Sequence, residues 1–476
     1  MALIKSISGI RGTIGGPAGE GLTPIDIVKF TYSYCKTLPL RKAQPNNGEK
    51  YTIVVGKDGR ISGQMVEQLV CGTLTACGVN VIKCGYASTP TTEMAVRFAK
   101  ADGGIILTAS HNPRDWNALK LLNEEGEFLT AVQGKAILDL AEKEEFRFAK
   151  VDKLGTVTEH DYTEEHIKAV LSLKAVDVEA IRKAKFKVAL DAINSVGADI
   201  MPKLLKELGV ECILLNGDIT GDFAHNPEPL PQNLVSLSDA VLENHADLGI
   251  SVDPDVDRLA FICENGEPFV EENTLIAVAD YLLEKAKADG NGNLTTVSNL
   301  SSSRGLRDVT EAHGGTYYAS AVGEVNVTTK MHQLNALIGG EGNGGVIYPE
   351  IHYGRDAMVG VALFLSHIAH KGIKVSEYKK TLPEYYIDKN RIELTDKDLA
   401  EKILQVVKDY YKDERVNALD GVKVDFETER KWVILRRSNT EPIIRVYSEA
   451  PTMEAAKALS NEVISIANTI INNTIK

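Results

Sequence analysis

The chain has 476 residues, of which 43% are hydrophobic and 25% charged, and its formal net charge is −13. That is material for roughly three or four domains of about 100–150 residues each. The acidic balance speaks against a nucleic-acid or anionic-membrane surface but leaves room for local basic phosphate pockets. Six cysteines without a CxxC pair, several inside apolar runs, read as reduced core thiols of a cytoplasmic protein, not as a disulfide framework or a zinc site. MALIKSISGIRG lacks the apolar segment of a signal peptide, and no apolar run reaches the length of a membrane span. No nucleic-acid or membrane partner is expected.

In chain order, SISGIRG offers Arg11 between glycines, and a helix is expected from Pro24 to about Thr37 with Thr23 as its cap. Leu38 to Asn47 reads as a loop. YTIVVGKDGR is a strand ending on Asp58 and Arg60; residues 64–77 have helical spacing; NVIKCG is a further strand. The apolar run Gly104 to Leu107 then closes on TASHNP, Thr108 to Pro113. After residue 155, TEEHIKAVLSLKAVDVEAIRKAK reads as a surface helical connector. Strand–loop–helix cycles restart at FKVALDAINSVGA and near TTVSNLSSSRGL, so three strands end in polar loops near Val55, Leu190 and Val297. Strands alternating with helices imply crossover units and mostly parallel sheets. From about Glu377 the texture changes. A strand (Tyr386–Leu394), a helix (about Lys397 to Tyr411), three short strands and a terminal helix (about Met453 to Ile471) suggest a smaller α+β domain.

Four loops carry chemistry. In TASHNP, Ser110 and His111 sit just past a strand's carboxyl end, where open α/β sheets bind ligands, and Lys120 follows on NALKL. Hydroxyl, imidazole and ammonium together suit group transfer on or off the serine; a turn capping a helix is the competing reading. DPDVDR offers Asp253, Asp255 and Asp257, whose oxygens favour magnesium, manganese or calcium over zinc; a solvated acidic turn competes. The same segment nearly matches a calcium EF-hand loop, but Arg258 stands where the turn needs glycine. An aspartyl-nucleophile phosphatase would leave the serine loop without a task. GGEGNGG contains a formal GxGxxG, yet residues 358–365 (MVGVALFL) lack the acidic residue a dinucleotide site needs. Glu341 and Asn343, between glycines, instead suit a polyol, against a merely flexible loop. RRSNTEP, Arg436 to Pro442, groups guanidinium, hydroxyl and amide as phosphate oxygens require, against an Asx-type turn.

Taken together these stretches resemble the α-D-phosphohexomutases along the whole chain. TASHNP with NALK is similar to that family's phosphoserine loop, DPDVDR to its magnesium loop, GEGNGG to its sugar loop and RRSNTEP to its phosphate loop. SGIRG, GKDGR and HNPEPL (His225–Leu230) also have counterparts. The resemblance implies three similar α/β domains with mixed sheets and a smaller C-terminal α+β domain around a central cleft. Their expected bounds are 1–155 (serine loop), 156–262 (metal loop), 263–376 (sugar loop) and 377–476 (phosphate loop).

The resemblance also implies Ser110 carried as phosphoserine and Mg²⁺ held by that group with Asp253, Asp255 and Asp257. Arg258 would accompany the phosphoserine, and Glu341 and Asn343 would meet the sugar. Arg436, Ser438, Asn439 and Thr440 would hold the phosphate that is not reacting. The implied reaction converts hexose 6-phosphate to hexose 1-phosphate through a hexose 1,6-bisphosphate. Lys120 is the first candidate for proton transfer, assisted by Arg11 and His111, with neighbouring cations such as Arg11 expected to lower its pKa. GEGNGG, VGEVNV (Val322–Val327) and SNTEP are most similar to phosphoglucosamine mutases of archaeal type; phosphomannomutase or phosphoglucomutase activity is the alternative. Asn343 and Gly345 replace the serine and histidine usual in the sugar loop. That departure keeps a non-enzymatic sugar-phosphate or divalent-ion binding protein in view. The partner is a small sugar phosphate, and the chain is a monomer or homodimer.

Overall fold

A computed structural model describes residues 3–6, 9–394, 399–438 and 442–475. The chain forms two compact units: Met1–Thr274 with Gly344–Lys379, and Leu275–Asn343 with Lys380–Lys476. Among the described residues no helix is long and apolar enough to cross a membrane.

In the first unit, seven strands make one sheet: β1 (Leu3–Ser6), β2 (Gly9–Thr13), β3 (Thr52–Lys57), β4 (Asn80–Tyr86), β5 (Gly104–Leu107), β6 (Trp116–Leu122) and β7 (Val157–Glu159), in the order β1-β2-β6-β5-β3-β4-β7. β3 runs parallel to β4 and β5, whereas β6 is antiparallel to both β5 and β2. The central strands are apolar on both faces because helices cover both; Ile53, Val54, Val55, Ile105, Ile106 and Leu107 are fully buried. A second sheet is built from β8 (Lys187–Asp191), β9 (Glu211–Leu215), β10 (Leu248–Val252) and β11 (Leu259–Cys263), in the order β11-β10-β8-β9, with only β11 antiparallel. The two sheets share a device. In each, a parallel strand turns straight back into an antiparallel neighbour, so TASHNP and DPDVDR are both hairpin connections at strand carboxyl ends.

The chain re-enters this unit at residue 344 and forms the helix Ala357–Lys371, buried on every side from Ala357 to Ile368. A helix buried all round in this way is a core element. Its Phe364 stacks on Phe261 at a centroid distance of 4.0 Å, and Phe269 and Tyr378 complete the cluster.

Two expectations shift, and one competing reading, that of TASHNP as a helix cap, falls. The first helix runs on to Arg41 through Pro39 instead of ending at Thr37, since Phe30, Tyr34 and Leu38 are buried along one face of it. No helix follows TASHNP; NALKL lies in β6. The connector after residue 155 is not a surface element. It breaks into helices Thr163–Leu171 and Val178–Ala184, with His166, Ile167, Val170 and Ile181 buried.

In the second unit, β12 (Thr295–Asn299) pairs in parallel with β13 (Thr316–Ser320) and β14 (Ile338–Glu341); the short strand β15 (Gly345–Ile347) returns the chain to the first unit. The C-terminal part is an antiparallel sheet of β16 (Tyr386–Glu393), β17 (Arg415–Asn417), β18 (Val422–Phe426), β19 (Lys431–Arg437) and β20 (Ile443–Ala450), in the order β16-β20-β19-β18-β17. Helices Leu399–Tyr410 and Met453–Ile475 share its apolar core through Ile403, Val407, Leu459 and Val463. The fully buried Trp432 packs with Leu300 and Ile434, and Lys423 lies 4.1 Å over its ring while donating to the Leu300 carbonyl at 2.9 Å.

Candidate active site

Ser110 sits at φ +48, a left-handed conformation that costs a non-glycine residue energy and must be held by its surroundings. Arg60 supplies much of that hold. Its guanidinium donates to the carbonyls of Pro113 at 2.7 Å, Trp116 at 2.9 Å and Asn112 at 2.7 Å, and also to that of Ser110. Asp58 fixes Arg60 through Nε at 3.1 Å and accepts from Thr108 Oγ1 at 2.6 Å, while Thr108 Oγ1 accepts from the Ser110 amide at 3.0 Å. Burial pushes the Asp58 carboxyl up to about 6 although Arg60 pulls it down. The planar fork of arginine, with its several donors, matches four converging carbonyls as lysine cannot.

The result is that Ser110 Oγ donates to Asp253 Oδ2 at 2.6 Å. Asp253 Oδ1 accepts from the amides of Asp257 and Arg258, both at 3.1 Å. Asp255 Oδ2 accepts from Thr89 Oγ1 at 2.6 Å and Lys120 Nζ at 2.7 Å; Asp257 Oδ2 accepts from Arg355 Nη2 at 2.8 Å and Lys120 Nζ at 3.3 Å. Val256, between them, is held at φ +62. One oxygen of each of the three carboxylates lies within 4.8 Å of the others, all three residues are fully buried, and Oδ1 of Asp255 and of Asp257 has no hydrogen-bond partner among the described residues. Buried carboxylate oxygens without donors are costly unless a cation takes them. An oxygen-only donor set of this kind fits a hard divalent ion such as Mg²⁺.

The electrostatics follow from this crowding. Burial, then repulsion from Asp255 and Asp257, raises Asp253 well above the usual carboxylate range. Asp255 goes the other way, because Lys120 and Thr89 outweigh its burial. Burial alone would lower Lys120, but Asp255 and Asp257 outweigh it and hold the ammonium's pKa above its ordinary value. The expectation of a lowered lysine is therefore overturned: the cation acting on it is Arg355, and its push is smaller than the pull of two carboxylates. His111 Nδ1 lies 3.4 Å from Ser110 Oγ; burial, followed by Arg258, pushes this imidazole down to about 2, so it is neutral. Arg11 on β2 pairs with Ala118, and Gly9 pairs with Lys120, which sets Arg11 and Lys120 on one face of adjacent strands. Arg258 Nη1 bonds Glu228 Oε1 of the HNPEPL loop at 2.9 Å.

The sugar and phosphate loops lie in the second unit. Glu341 is buried at the end of β14, and its Oε1 accepts from Asn299 Nδ2 at 2.7 Å and the Gly323 amide at 3.2 Å. Asn343 Nδ2 is 3.4 Å from Glu341 Oε2. Gly344, back in the first unit, is at φ +87, and a Cβ there would meet the Leu259 carbonyl at 2.2 Å. The loop's backbone thus packs closely, at Gly344, against the protein's own β11. Arg436 Nε bonds Asp420 Oδ2 at 2.8 Å, and the Ser438 amide donates to the Ile443 carbonyl at 3.0 Å. Asn439 and Thr440 lie outside the described residues.

Four domain families match the chain in order. They are the phosphoglucomutase/phosphomannomutase alpha/beta/alpha domain I over residues 3–148, domain II over 164–266, domain III over 271–386 and the C-terminal domain over 391–466. This chain belongs to the phosphoglucomutase/phosphomannomutase family. The phosphoglucomutase/phosphomannomutase of Thermococcus kodakarensis is 35% identical over 451 residues, covering 94% of this chain and 95% of that one. The phosphoglucosamine/phosphogalactosamine mutase of Sulfurisphaera tokodaii is 32% identical over 474 residues, covering 98% and 99%. A phosphoglucomutase/phosphomannomutase family protein from Burkholderia thailandensis shares the fold, with a TM-score of 0.83 at 22% identity over 98% of this chain and 97% of that one. As a phosphohexomutase the protein is an isomerase, and the reading as a binding protein without turnover falls away.

Several residues of this phosphohexomutase site escaped the sequence reading. Asp58 and Arg60 stood in a noted motif, GKDGR, but nothing in one sequence says that the arginine gathers four carbonyls of another loop. Thr89 and Arg355 went unremarked. Arg355 had one available signal: a charged pair, Arg355-Asp356, directly before a helix too apolar to be exposed. Ser195, which accepts from the Gly59 amide at 3.0 Å and donates to the Pro254 carbonyl at 2.6 Å, ties the GKDGR loop to the metal loop and had no signal.

Proposed function

We propose that this phosphohexomutase interconverts glucosamine 6-phosphate and glucosamine 1-phosphate through phosphorylated Ser110 and a 1,6-bisphosphate. The observation that carries the serine assignment is the strained, 8% exposed Ser110 whose Oγ donates at 2.6 Å to the first carboxylate of a buried three-aspartate loop. Asp253, Asp255 and Asp257, with phosphoserine 110, are the residues that would hold Mg²⁺; when bound, the ion neutralises charge on the transferring phosphoryl group. In the first half-reaction the bond from Ser110 Oγ to phosphorus breaks, one from a substrate hydroxyl oxygen forms, and the hydroxyl's proton ends on Ser110 Oγ; the second half-reaction reverses this at the other end of the turned-over bisphosphate.

Such a transfer asks the protein mainly for positioning and charge, not for a strong base. Lys120, whose proton Asp255 and Asp257 hold in place, serves as a fixed cation, and Arg11 on the same face adds positive charge. The neutral His111 is a hydrogen-bond partner for Ser110 Oγ. Arg258, now on Glu228, accompanies the phosphoserine. In the second unit Glu341 and Asn343 meet sugar hydroxyls; Arg436 and Ser438, with Asn439 and Thr440, take the phosphate that is not reacting. The domains 1–155, 156–262, 263–376 and 377–476 would each bring one of these loops.

The choice of sugar rests on the GEGNGG, VGEVNV and SNTEP stretches and is supported by relatives named phosphoglucosamine mutase at 30–32% identity. The relative at 35% carries the phosphoglucomutase/phosphomannomutase name and favours glucose or mannose phosphates as the second reading. The test is turnover on the 1-phosphates of glucosamine, glucose and mannose, each with Mg²⁺ and a trace of the matching 1,6-bisphosphate. A kcat/KM preference for the glucosamine compound is expected; a preference for mannose or glucose would transfer the assignment to the second reading.

A further inference from the structure

Four titratable side chains outside the serine and metal loops form one buried group in the first unit: Glu93, His166, His352 and Asp356, exposed by 1%, 0%, 4% and 1%. Both imidazoles converge on a single oxygen. His166 Nε2 is 2.9 Å and His352 Nε2 3.1 Å from Asp356 Oδ2. The far nitrogens are also engaged, His166 Nδ1 with Thr91 Oγ1 at 3.0 Å and His352 Nδ1 with Glu93 Oε2 at 3.3 Å. Asp356 Oδ1 accepts from the amides of Met358 and Val359 at the start of the core helix. Gly354 leaves the room this needs, since a Cβ there would lie 1.9 Å from Glu93 Oε2 and 2.8 Å from His352 Nδ1.

The segments locked together here are the ones that hold the metal loop. Glu93 and Thr91 lie on the helix Thr89–Phe98, whose first residue bonds Asp255 twice, by Thr89 Oγ1 to the carboxylate at 2.6 Å and by its amide to the carbonyl at 2.9 Å. His352 and Asp356 flank Arg355, which bonds Asp257 at 2.8 Å, and the Ala357 amide donates to the Val256 carbonyl at 3.2 Å. We propose that the Glu93–His352–Asp356–His166 group is a clamp that sets Thr89 and Arg355 against the metal loop, so that Asp255 and Asp257 each keep one oxygen free of protein donors for a divalent cation. His166 and His352 are positioning residues; the inference rests on the cation reading of the aspartate loop. A transition-metal site is the competing use of the same atoms. The group offers three such atoms where a closed zinc site takes four, and both imidazoles already sit at hydrogen-bond distance from one carboxylate oxygen.

The test uses the full-length protein and Mn²⁺ as a paramagnetic probe, with binding read directly by electron spin resonance. His352→Gln, His166→Gln and the milder Thr91→Val are compared with Val70→Ala, which disturbs the core of the same unit away from the clamp. The clamp variants are expected to raise the Mn²⁺ Kd by about tenfold, as loss of a supporting shell does. The Mg²⁺ concentration for half-maximal turnover should rise in parallel while KM for sugar phosphate stays put. Val70→Ala should lower the melting temperature and leave the Mn²⁺ Kd unchanged. An unchanged Kd in all three clamp variants, or an equal change in Val70→Ala, overturns the clamp. Stoichiometric zinc in the purified protein, lost in His352→Gln, overturns it in favour of a metal site. If Asp255→Asn also leaves Mn²⁺ binding intact, the aspartate loop is not the cation site and that reading falls first.

Discussion

The serine and metal loops of the first unit and the sugar and phosphate loops of the second solve opposite problems with similar residues. Arg60 and Asp58 are fully buried and locked to each other and to the serine loop. Arg436 and Asp420 form an ion pair of nearly the same length, but their side chains stay 17% and 26% exposed. A buried pair leaves an uncompensated charge if either member goes, and so defines one geometry firmly. A half-exposed pair can be exchanged for another anion at little cost. The first arrangement suits a place where chemistry needs fixed charge. The second suits a place where an arginine must leave its carboxylate for a phosphate and return to it.

That contrast can be broken at several points. Ser110→Ala removes the hydroxyl proposed to carry the phosphoryl group and should cut turnover by at least about a thousandfold, with melting temperature little changed; residual turnover near wild type would take the serine out of the reaction. Asp255→Asn should weaken Mg²⁺ activation by no less than the roughly 10–100-fold that loss of a supporting contact alone produces. Calorimetric Mg²⁺ titration reads this, and an unchanged isotherm would put the cation elsewhere. Arg436→Ala should raise KM for the sugar phosphate by about tenfold or more, a charge-assisted hydrogen bond being worth ~1.5–3 kcal/mol, with kcat within a few-fold of wild type. A fall in kcat with KM unchanged would mean that Arg436 serves the chemical step, and the contrast between the two units would fail.

The smallest effect concerns pH and stability. His352 is buried, which alone would lower its pKa, yet Asp356 and Glu93 outweigh this and raise it from 6.5 to about 9. The folded state then binds the proton more tightly than the unfolded one. Its contribution is complete below about pH 6.5 and is lost as pH rises through about 9. Urea midpoints of wild type and His352→Gln should therefore differ most at pH 6 and converge by pH 9.5. A constant difference would mean that the imidazole is neutral throughout.

How much of this could be read beforehand depended on whether the signal was local. TASHNP and DPDVDR, which the fold joins through Ser110 and Asp253, were legible because each gathers its chemistry within a few residues after an apolar run; GEGNGG and RRSNTEP stood out in the sequence for the same reason, and their tasks are proposals. The α/β plan and the smaller last domain were legible from the alternation of strands and helices. That the sheets are mixed came from the family resemblance and not from the alternation of elements, because a strand's direction is set by the partner it finds, and that is a tertiary matter. The same holds for Thr89, Ser195 and Arg355, whose tasks are defined by contacts 166, 136 and 98 residues away. The lysine's pKa was misjudged for a related reason. The expectation counted only neighbouring cations such as Arg11, whereas the fold sets two carboxylates more than 130 positions distant directly on the ammonium.

The division of the first unit into Met1–Thr274 and Gly344–Lys379 has a consequence for the order of synthesis. A ribosome that has completed the metal loop at Arg258 must add about 97 further residues, among them the second-unit segment Leu275–Asn343, on the order of 5–19 s at ~5–20 residues per second, before Arg355 is made, and the core helix comes later still. For that interval Asp257 has no guanidinium partner, and Phe261 and Phe269 have neither Phe364 nor Tyr378 to pack on. The nascent chain therefore waits with β11 not yet covered by the core helix and Asp257 not yet paired with Arg355, and the unit that holds the serine and metal loops is finished only after most of the chain has been made.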